Sequence, residues 1–289
     1  MKLGILSGVI NVLVVVSLSG CEASASRESP STVGIDVDSY GIINQYLYSG
    51  SACGPTSVLN ALKFGKTSFQ SIYRGLSGYN DKDKLRFLIN QYGSKASQVE
   101  RGETLYGENR GMKADDILPF FNSILKDHSL ENVQGTYFER KSNESTIDHL
   151  YRIHQLLSKS LLSEVPIITS IRSFASQERS SDSSFKWQGV AAHVILITRV
   201  PKDLKSSQKG FPFNYIDPDS GSLYEGYIYV EDIRDFHAIK GSGETDFKWI
   251  EDSPFLLVIA PHLNLDTKKQ KWHWRSFITL NYGVGNFND

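Results

Sequence analysis

Ser51-Ala52-Cys53-Gly54-Pro55-Thr56-Ser57-Val58-Leu59-Asn60-Ala61-Leu62-Lys63-Phe64-Gly65 reads as a loop running into a helix. Pro55 belongs in a first turn, where its missing N–H would have no helical partner anyway. Val58, Leu59 and Leu62 recur at helical spacing and make an inward stripe. Gly65 suits a left-handed helix stop. This places Cys53 at the helix N-terminus, where free backbone N–H groups and the positive end of the dipole favour an ionised sulfur. Gly54 leaves room for a carbonyl to approach it.

A second cysteine lies far upstream, and its setting differs. Lys2 is followed by the 18 uncharged residues Leu3 to Gly20, densest in apolar side chains from Val9 to Val16. This is the charged head and apolar middle of a secretory signal. Leu18-Ser19-Gly20-Cys21 closes it and resembles the lipobox of bacterial lipoproteins, which implies that Cys21 is acylated and begins the mature chain. The competing reading is an uncleaved anchor at the short end of the spanning range. Either way the N-terminus is tethered to a membrane and the rest is exported. Glu22 follows the cysteine, and the absence of Asp there resembles the pattern that sends lipoproteins to the outer membrane, facing the periplasm. From Glu22 to Ser31 no large apolar residue occurs, so this stretch reads as a flexible spacer. The expected organisation is a leader at 1–20, a lipidated cysteine with linker at 21–32, and one folded unit at 33–289.

With Cys21 lipidated, Cys53 is the lone free thiol of an exported chain, in a compartment where structural cysteines normally pair. It reads either as a small buried hydrophobe or as a reactive group. Two downstream stretches bear on the choice: Ala191-Ala192-His193-Val194-Ile195-Leu196-Ile197-Thr198 and Phe213-Asn214-Tyr215-Ile216-Asp217-Pro218-Asp219-Ser220-Gly221. Taken singly, His193 also reads as a core histidine at the head of an apolar run, and Asp217 before Pro218 as a turn initiator.

Together with Cys-Gly-Pro-Thr-Ser at a helix start, these stretches resemble the papain-like cysteine peptidases, most closely the double-glycine (bacteriocin-processing) peptidases. That family places a histidine at the start of a strand far downstream of the cysteine and an acid at the end of the next strand. The separation here is 193 − 53 = 140 residues, within the ~130 to 150 of papain-like sequences. The resemblance spans roughly Gln45 to Tyr227. It implies Cys53 as nucleophile, His193 as base and proton donor, and Asp217 as the group that fixes the imidazole tautomer. The chemistry needs these types: a thiol must lose its proton to attack an acyl carbon, and the leaving amine must gain one. The backbone N–H of Cys53 is one oxyanion donor. The resemblance asks for a glutamine about six residues before the cysteine; the one present is Gln45, eight before, with Asn44 and the Ser51 hydroxyl as other donors.

The rest of the chain fits an α+β fold. Asp115 to Leu125 reads as an amphipathic helix, Thr146 to Leu162 as a longer one with Ile147, Leu150, Ile153, Leu157 and Leu161 in phase, and Val165 to Ile171 as a buried strand. Helices dominate the first half and strands the second. The resemblance then implies a two-lobed papain-like plan, with a helical N-terminal lobe, an antiparallel sheet C-terminal lobe and the active-site cleft between them. Ser176 to Ser184 is polar and aperiodic and reads as a solvated loop. Trp272, Trp274, Phe277 and Tyr282 alternate as a strand with an aromatic face, and core packing is the commoner use of such residues.

Composition narrows the function classes. Apolar residues make up 40% of the 289 and charged residues 22%, a globular profile, and 31 Lys and Arg against 32 Asp and Glu provide no basic field for nucleic acid. His149 and His154 lie five apart, off a shared helix face, and no paired-cysteine spacing occurs, so no metal is expected. Gly241-Ser242-Gly243 lacks the rest of a dinucleotide loop, so no cofactor is expected either. The expected function is an exported lipoprotein thiol hydrolase that cleaves a peptide or related amide through a Cys53 thioester, its partners being that substrate and the membrane. Two alternatives remain open: a papain-like acyltransferase of the phytochelatin-synthase type, and a catalytically inactive binding lipoprotein on the same fold.

Overall fold

The computed structural model describes residues 31–177, 186–230, 237–239, 255–263, 265 and 276–288. The leader, Cys21, Trp272 and Trp274, and 178–184 of the polar loop lie outside these residues. In chain order the elements are β1 (Thr32–Gly34), α1 (Cys53–Phe64), α2 (Thr67–Gly75), α3 (Asp81–Leu88), β2 (Tyr106–Gly107), β3 (Gly111–Met112), α4 (Ala114–Asp127), β4 (Gln134–Tyr137) and α5 (Thr146–Leu162). Strands follow: β5 (Ile167–Gln177), β6 (Lys186–Pro201), β7 (Gly210–Asp217), β8 (Ser222–Tyr229), β9 (His237–Ile239), β10 (Leu256–Ile259) and β11 (Ser276–Gly285). The fold mixes helix and sheet, with helices concentrated in the first half and strands in the second.

The sheet differs from the expected antiparallel lobe in two respects: six of its strands close into a ring, and β9 pairs parallel to β6. Strands pair antiparallel in the order β6-β5-β11-β10-β8-β7, and β7 returns to β6, giving a closed six-stranded barrel. The length of β6 makes closure possible. Its 16 residues pair with β5 from Lys186 to Ile197 on one side, while Leu196, Ile197 and Arg199 face β7 on the other. A register shift between Ile197 and Arg199 bends the strand where closure occurs. Closure leaves no long unpaired edge within the ring. The short strands β1 and β9 add to β6, and β4 adds to β11.

Alternation along the strands sends side chains to two cores. Ile168, Val194, Leu196, Ile216 and Val284 pack with the inward stripes of α1 to α4, including Val58, Leu59 and Leu62. Ile167, Ile171, Ile195, Ile197, Phe213 and Tyr215 point the other way, into a cluster that α5 joins through Leu150, Ile153, Leu157 and Leu161. A bulge between Leu280 and Tyr282 on β11 breaks the parity, so Leu280 serves the second cluster and Tyr282 the first. Of the C-terminal aromatic residues, Tyr282 is thus core, its ring 4.9 Å from that of Tyr137, and Phe277 stacks on Phe174 at 5.3 Å.

The long helix coincides with its expected bounds, and the helix expected over Asp115–Leu125 runs from Ala114 to Asp127. The strand expected over Val165–Ile171 begins at Ile167 and continues to Gln177. Gly65 does end α1, but with φ −75° and not in the left-handed region. Its role is close packing: a Cβ there would lie 2.6 Å from the Ala61 carbonyl oxygen and 3.1 Å from Pro166 Cδ.

Candidate active site

Cys53 is the first residue of α1, after Ala52, which makes no side-chain cap. The first helical bond is donated by the Thr56 N–H to the Ala52 carbonyl at 2.9 Å. The N–H groups of Cys53 and Gly54 therefore precede the helical ladder and are the orphan donors of the first turn. Cys53 is a free thiol, half-buried. Gly54 does not open a space beside it as expected, because its Cβ side is occupied: an added Cβ would meet Met112 Cβ at 3.2 Å and Sδ at 3.4 Å.

Helix α1 is held in place by two buried polar side chains beside its apolar stripe. Asn60 is buried and donates from Nδ2 to the Ile43 carbonyl while its Oδ1 accepts from the Ile43 N–H, both at 3.0 Å. Ser57, one turn after Cys53, donates from Oγ to the Val194 carbonyl at 3.4 Å. That contact ties the helix to β6 beside His193.

His193 lies opposite Ile171 of β5, and Asp217 ends β7. Nε2–H of His193 donates to Oδ1 of Asp217 at 2.7 Å, and the Cys53 side chain interacts with the same ring. With Nε2 engaged, Nδ1 is the ring nitrogen left for the sulfur. Burial by itself would push this imidazole down, but its interactions with Asp217 and Cys53 outweigh it and raise the ring to about 10. A cation is thereby held beside the sulfur across neutral pH. Asp217 is only 2% exposed and its Oδ1 also accepts the Asp219 N–H at 2.9 Å, so the carboxylate cannot swing away without losing two donors.

The expected sites thus divide. Cys53, His193 and Asp217, which lie on three separate elements, are brought together, with His193 between the other two. Gln45 is close by but differently employed. It is 2% exposed and sits in a single 3-10 turn, Gln45–Leu47, where its Nε2 donates to the Gly50 carbonyl at 2.7 Å and to Asp219 Oδ1 at 3.0 Å. Both amide hydrogens are spent inside the protein, so Gln45 has none free for an oxyanion. The other two candidate donors are also engaged: Asn44 Nδ2 donates to the Asp219 carbonyl at 2.9 Å, and the Ser51 hydroxyl donates to the Glu108 carbonyl. The backbone N–H groups at the start of α1, in contrast, lie outside the helical ladder.

Three neighbours had no role in the sequence reading. Asp219 braces Asp217, Met112 covers Gly54, and Tyr106 Oη lies 2.7 Å from Ser49 Oγ and 3.2 Å from Ser51 Oγ, buttressing the loop before Cys53. The last two arrive on β2 and β3, two-residue strands with no periodic signal. Asp219 had a signal in the Asp-Pro-Asp turn itself.

Among the described residues, no group of three or more His, Cys, Asp or Glu side chains is placed to hold a metal ion, and no helix is long and apolar enough to cross a membrane. His149 and His154 are buried on α5 and each donates from Nε2 to a backbone carbonyl, of Phe138 at 2.8 Å and Pro201 at 2.9 Å. They are structural donors. No family model, curated protein or solved structure matches this chain.

Proposed function

We propose that the chain is an exported thiol hydrolase that cleaves a peptide or related amide bond on a papain-like plan, anchored through a lipid on Cys21 to the envelope of a bacterium. One observation carries the reading: a half-buried thiol at an uncapped helix start stands beside an imidazole that a buried carboxylate holds in place. This is the arrangement that acyl transfer through sulfur requires. The sulfur attacks the acyl carbon, and the oxyanion is met by the N–H groups of Cys53 and Gly54. His193 hands its proton to the departing amine, leaving a thioester. It then takes a proton from water as the water attacks, and the acid leaves with the thiolate restored. The papain-like assignment has support in the helix that carries the sulfur and the strands that carry the base, while the closed six-stranded barrel is not evidently part of that plan.

The test is alkylation of the mature chain with iodoacetamide at pH 6 to 7, read by mass spectrometry. Labelling of Cys53 far ahead of free cysteine is the expected result, since only an ionised sulfur reacts. A rate no faster than free cysteine removes the hydrolase reading and leaves a binding protein. The anchor has its own test: Cys21→Ser should move the chain from the membrane to the soluble fraction of the producing cell, and an unchanged distribution would exclude the lipid.

A further inference from the structure

We propose that Gln45 and Asp219 form a clasp that joins the loop before Cys53 to the turn after Asp217, and so sets the distance between sulfur and imidazole. The inference rests on the hydrolase reading above and assigns Gln45 a positioning role within it, in place of the oxyanion role.

Three contacts close the clasp. The Gln45 N–H donates to the Pro218 carbonyl at 2.8 Å, Asn44 Nδ2 to the Asp219 carbonyl at 2.9 Å, and Gln45 Nε2 to Asp219 Oδ1 at 3.0 Å. Two consecutive side chains therefore converge on a single aspartate. Gly221, at φ +66°, lets the turn come this close, because a Cβ there would stand 3.0 Å from that of Asn44.

The clasp has an output at each end. On one side, Gln45 Nε2 holds the Gly50 carbonyl at 2.7 Å, three residues before Cys53, and the Gln45 carbonyl accepts the N–H groups of Tyr48 and Ser49 at 2.9 and 3.1 Å. On the other, the Asp219 N–H donates to the same Asp217 oxygen that His193 bonds. The amide orientation is fixed by electrostatics. Turning it over would set Oε1 against the Gly50 carbonyl and the Asp219 carboxylate, two acceptors, which is why Nε2 stays engaged although Oε1 is buried with no partner among the described residues. A glutamine with free hydrogens would be a donor for substrate. This one spans two loops that the chain separates by more than 160 residues, as 217 − 50 = 167.

The experiment compares two probes on the full mature chain. Iodoacetamide alkylates the sulfur by displacement: an S–C bond forms, iodide leaves and no oxyanion arises. p-Nitrophenyl acetate acylates it through a tetrahedral oxyanion and releases p-nitrophenolate. If the clasp positions the pair, Asp219→Ala slows both reactions on the order of ten-fold, since small misplacements cost this much or more, and shifts the pH profile of alkylation. Asp219→Asn, which keeps an acceptor oxygen for Gln45, restores most of the rate. Gln45→Ala behaves like Asp219→Ala; should it fail to fold, the two Asp219 variants decide alone. Alkylation at the wild-type rate across pH 5 to 9 in Asp219→Ala overturns the clasp. So does a Gln45→Ala protein slowed with p-nitrophenyl acetate only, the mark of an oxyanion donor. A wild-type chain no more reactive than free cysteine would sink the hydrolase reading and the clasp with it, a result distinct from a reactive wild type that is indifferent to Asp219.

Discussion

Nε2 of His193 stands 2.7 Å from Oδ1 of Asp217, and the same oxygen accepts the Asp219 N–H at 2.9 Å. Two donors on one oxygen dictate what a substitution does. In Asp217→Asn the carboxamide oxygen would be drawn to both donors, so the ring keeps its orientation and loses only the charge that favours its protonated form. Asp217→Ala loses both. Alkylation of Cys53 at neutral pH should therefore fall in the order wild type, Asn, Ala, and the His193 ring, held up to about 10 in the wild type, should titrate at lower pH in both variants. Nuclear magnetic resonance of the imidazole reads this directly. An Asn variant as slow as Ala would mean that charge, and not orientation, is what Asp217 supplies.

Removal of the sulfur separates chemistry from folding. Cys53 is half-buried and packs at the edge of the helical core, so Cys53→Ala costs about 1 kcal/mol or less of stability. Acylation by p-nitrophenyl acetate should disappear altogether, while circular dichroism and the urea midpoint stay near the wild type. Residual burst kinetics in that variant would move the nucleophile elsewhere.

The parts of this site that were legible in the sequence are those with local signals. Pro55 and the stripe of Val58, Leu59 and Leu62 announced α1, so Cys53 could be put at a helix start, and the apolar runs after His193 and before Asp217 announced two strands. What escaped was set by contacts between residues far apart in the chain. Barrel closure depends on Leu196 meeting Ile216 while β10 meets both β8 and β11, and no window of neighbouring residues encodes it. Gln45 was legible as a nearby amide, but its employment was not, because its partners are a carbonyl in its own loop and an aspartate 174 residues away. Met112 over Gly54 had no signal at all, since β3 is two residues long.

The buried histidines predict how acid unfolds the chain. Burial pushes His149 down to about 4, the largest effect, with Arg152 adding to it against the support of the Phe138 carbonyl. His154 is lowered by burial as well. An unfolded histidine takes up its proton near ~6.5. Between pH 6.5 and 4 the unfolded state therefore binds protons that the folded state refuses, and stability falls as pH falls through that window. It is present in full above about 6.5. For His149 the gap from ~6.5 to about 4 is worth on the order of 3 kcal/mol. His149→Gln offers a neutral donor for the Phe138 carbonyl and should flatten the curve of unfolding free energy against pH between 6.5 and 4. Urea titrations at pH 7, 6, 5 and 4.5 give that curve, and equal slopes in the two proteins would place the acid sensitivity elsewhere.

Asn60 makes the most demanding claim on stability. Its side chain mimics a strand partner for Ile43, accepting one bond from the N–H and donating one to the carbonyl, in a place with no solvent exposure. Asn60→Ala strands two buried backbone groups, each of which costs roughly 1 to 3 kcal/mol when unsatisfied. The expected loss is about 2 to 4 kcal/mol by urea unfolding. Asn60→Asp keeps the acceptor for the Ile43 N–H but sets a carboxylate against the Ile43 carbonyl in a closed core, so it should be the worse of the two despite its smaller change in shape. The effect should also reach the sulfur, because Ile43 leads into Asn44 and Gln45: at temperatures where Asn60→Ala is still folded, its alkylation should be slower than wild type. Loss of stability with an unchanged alkylation rate would show that the 43–46 segment holds the site without Asn60, and would confine this residue to the core.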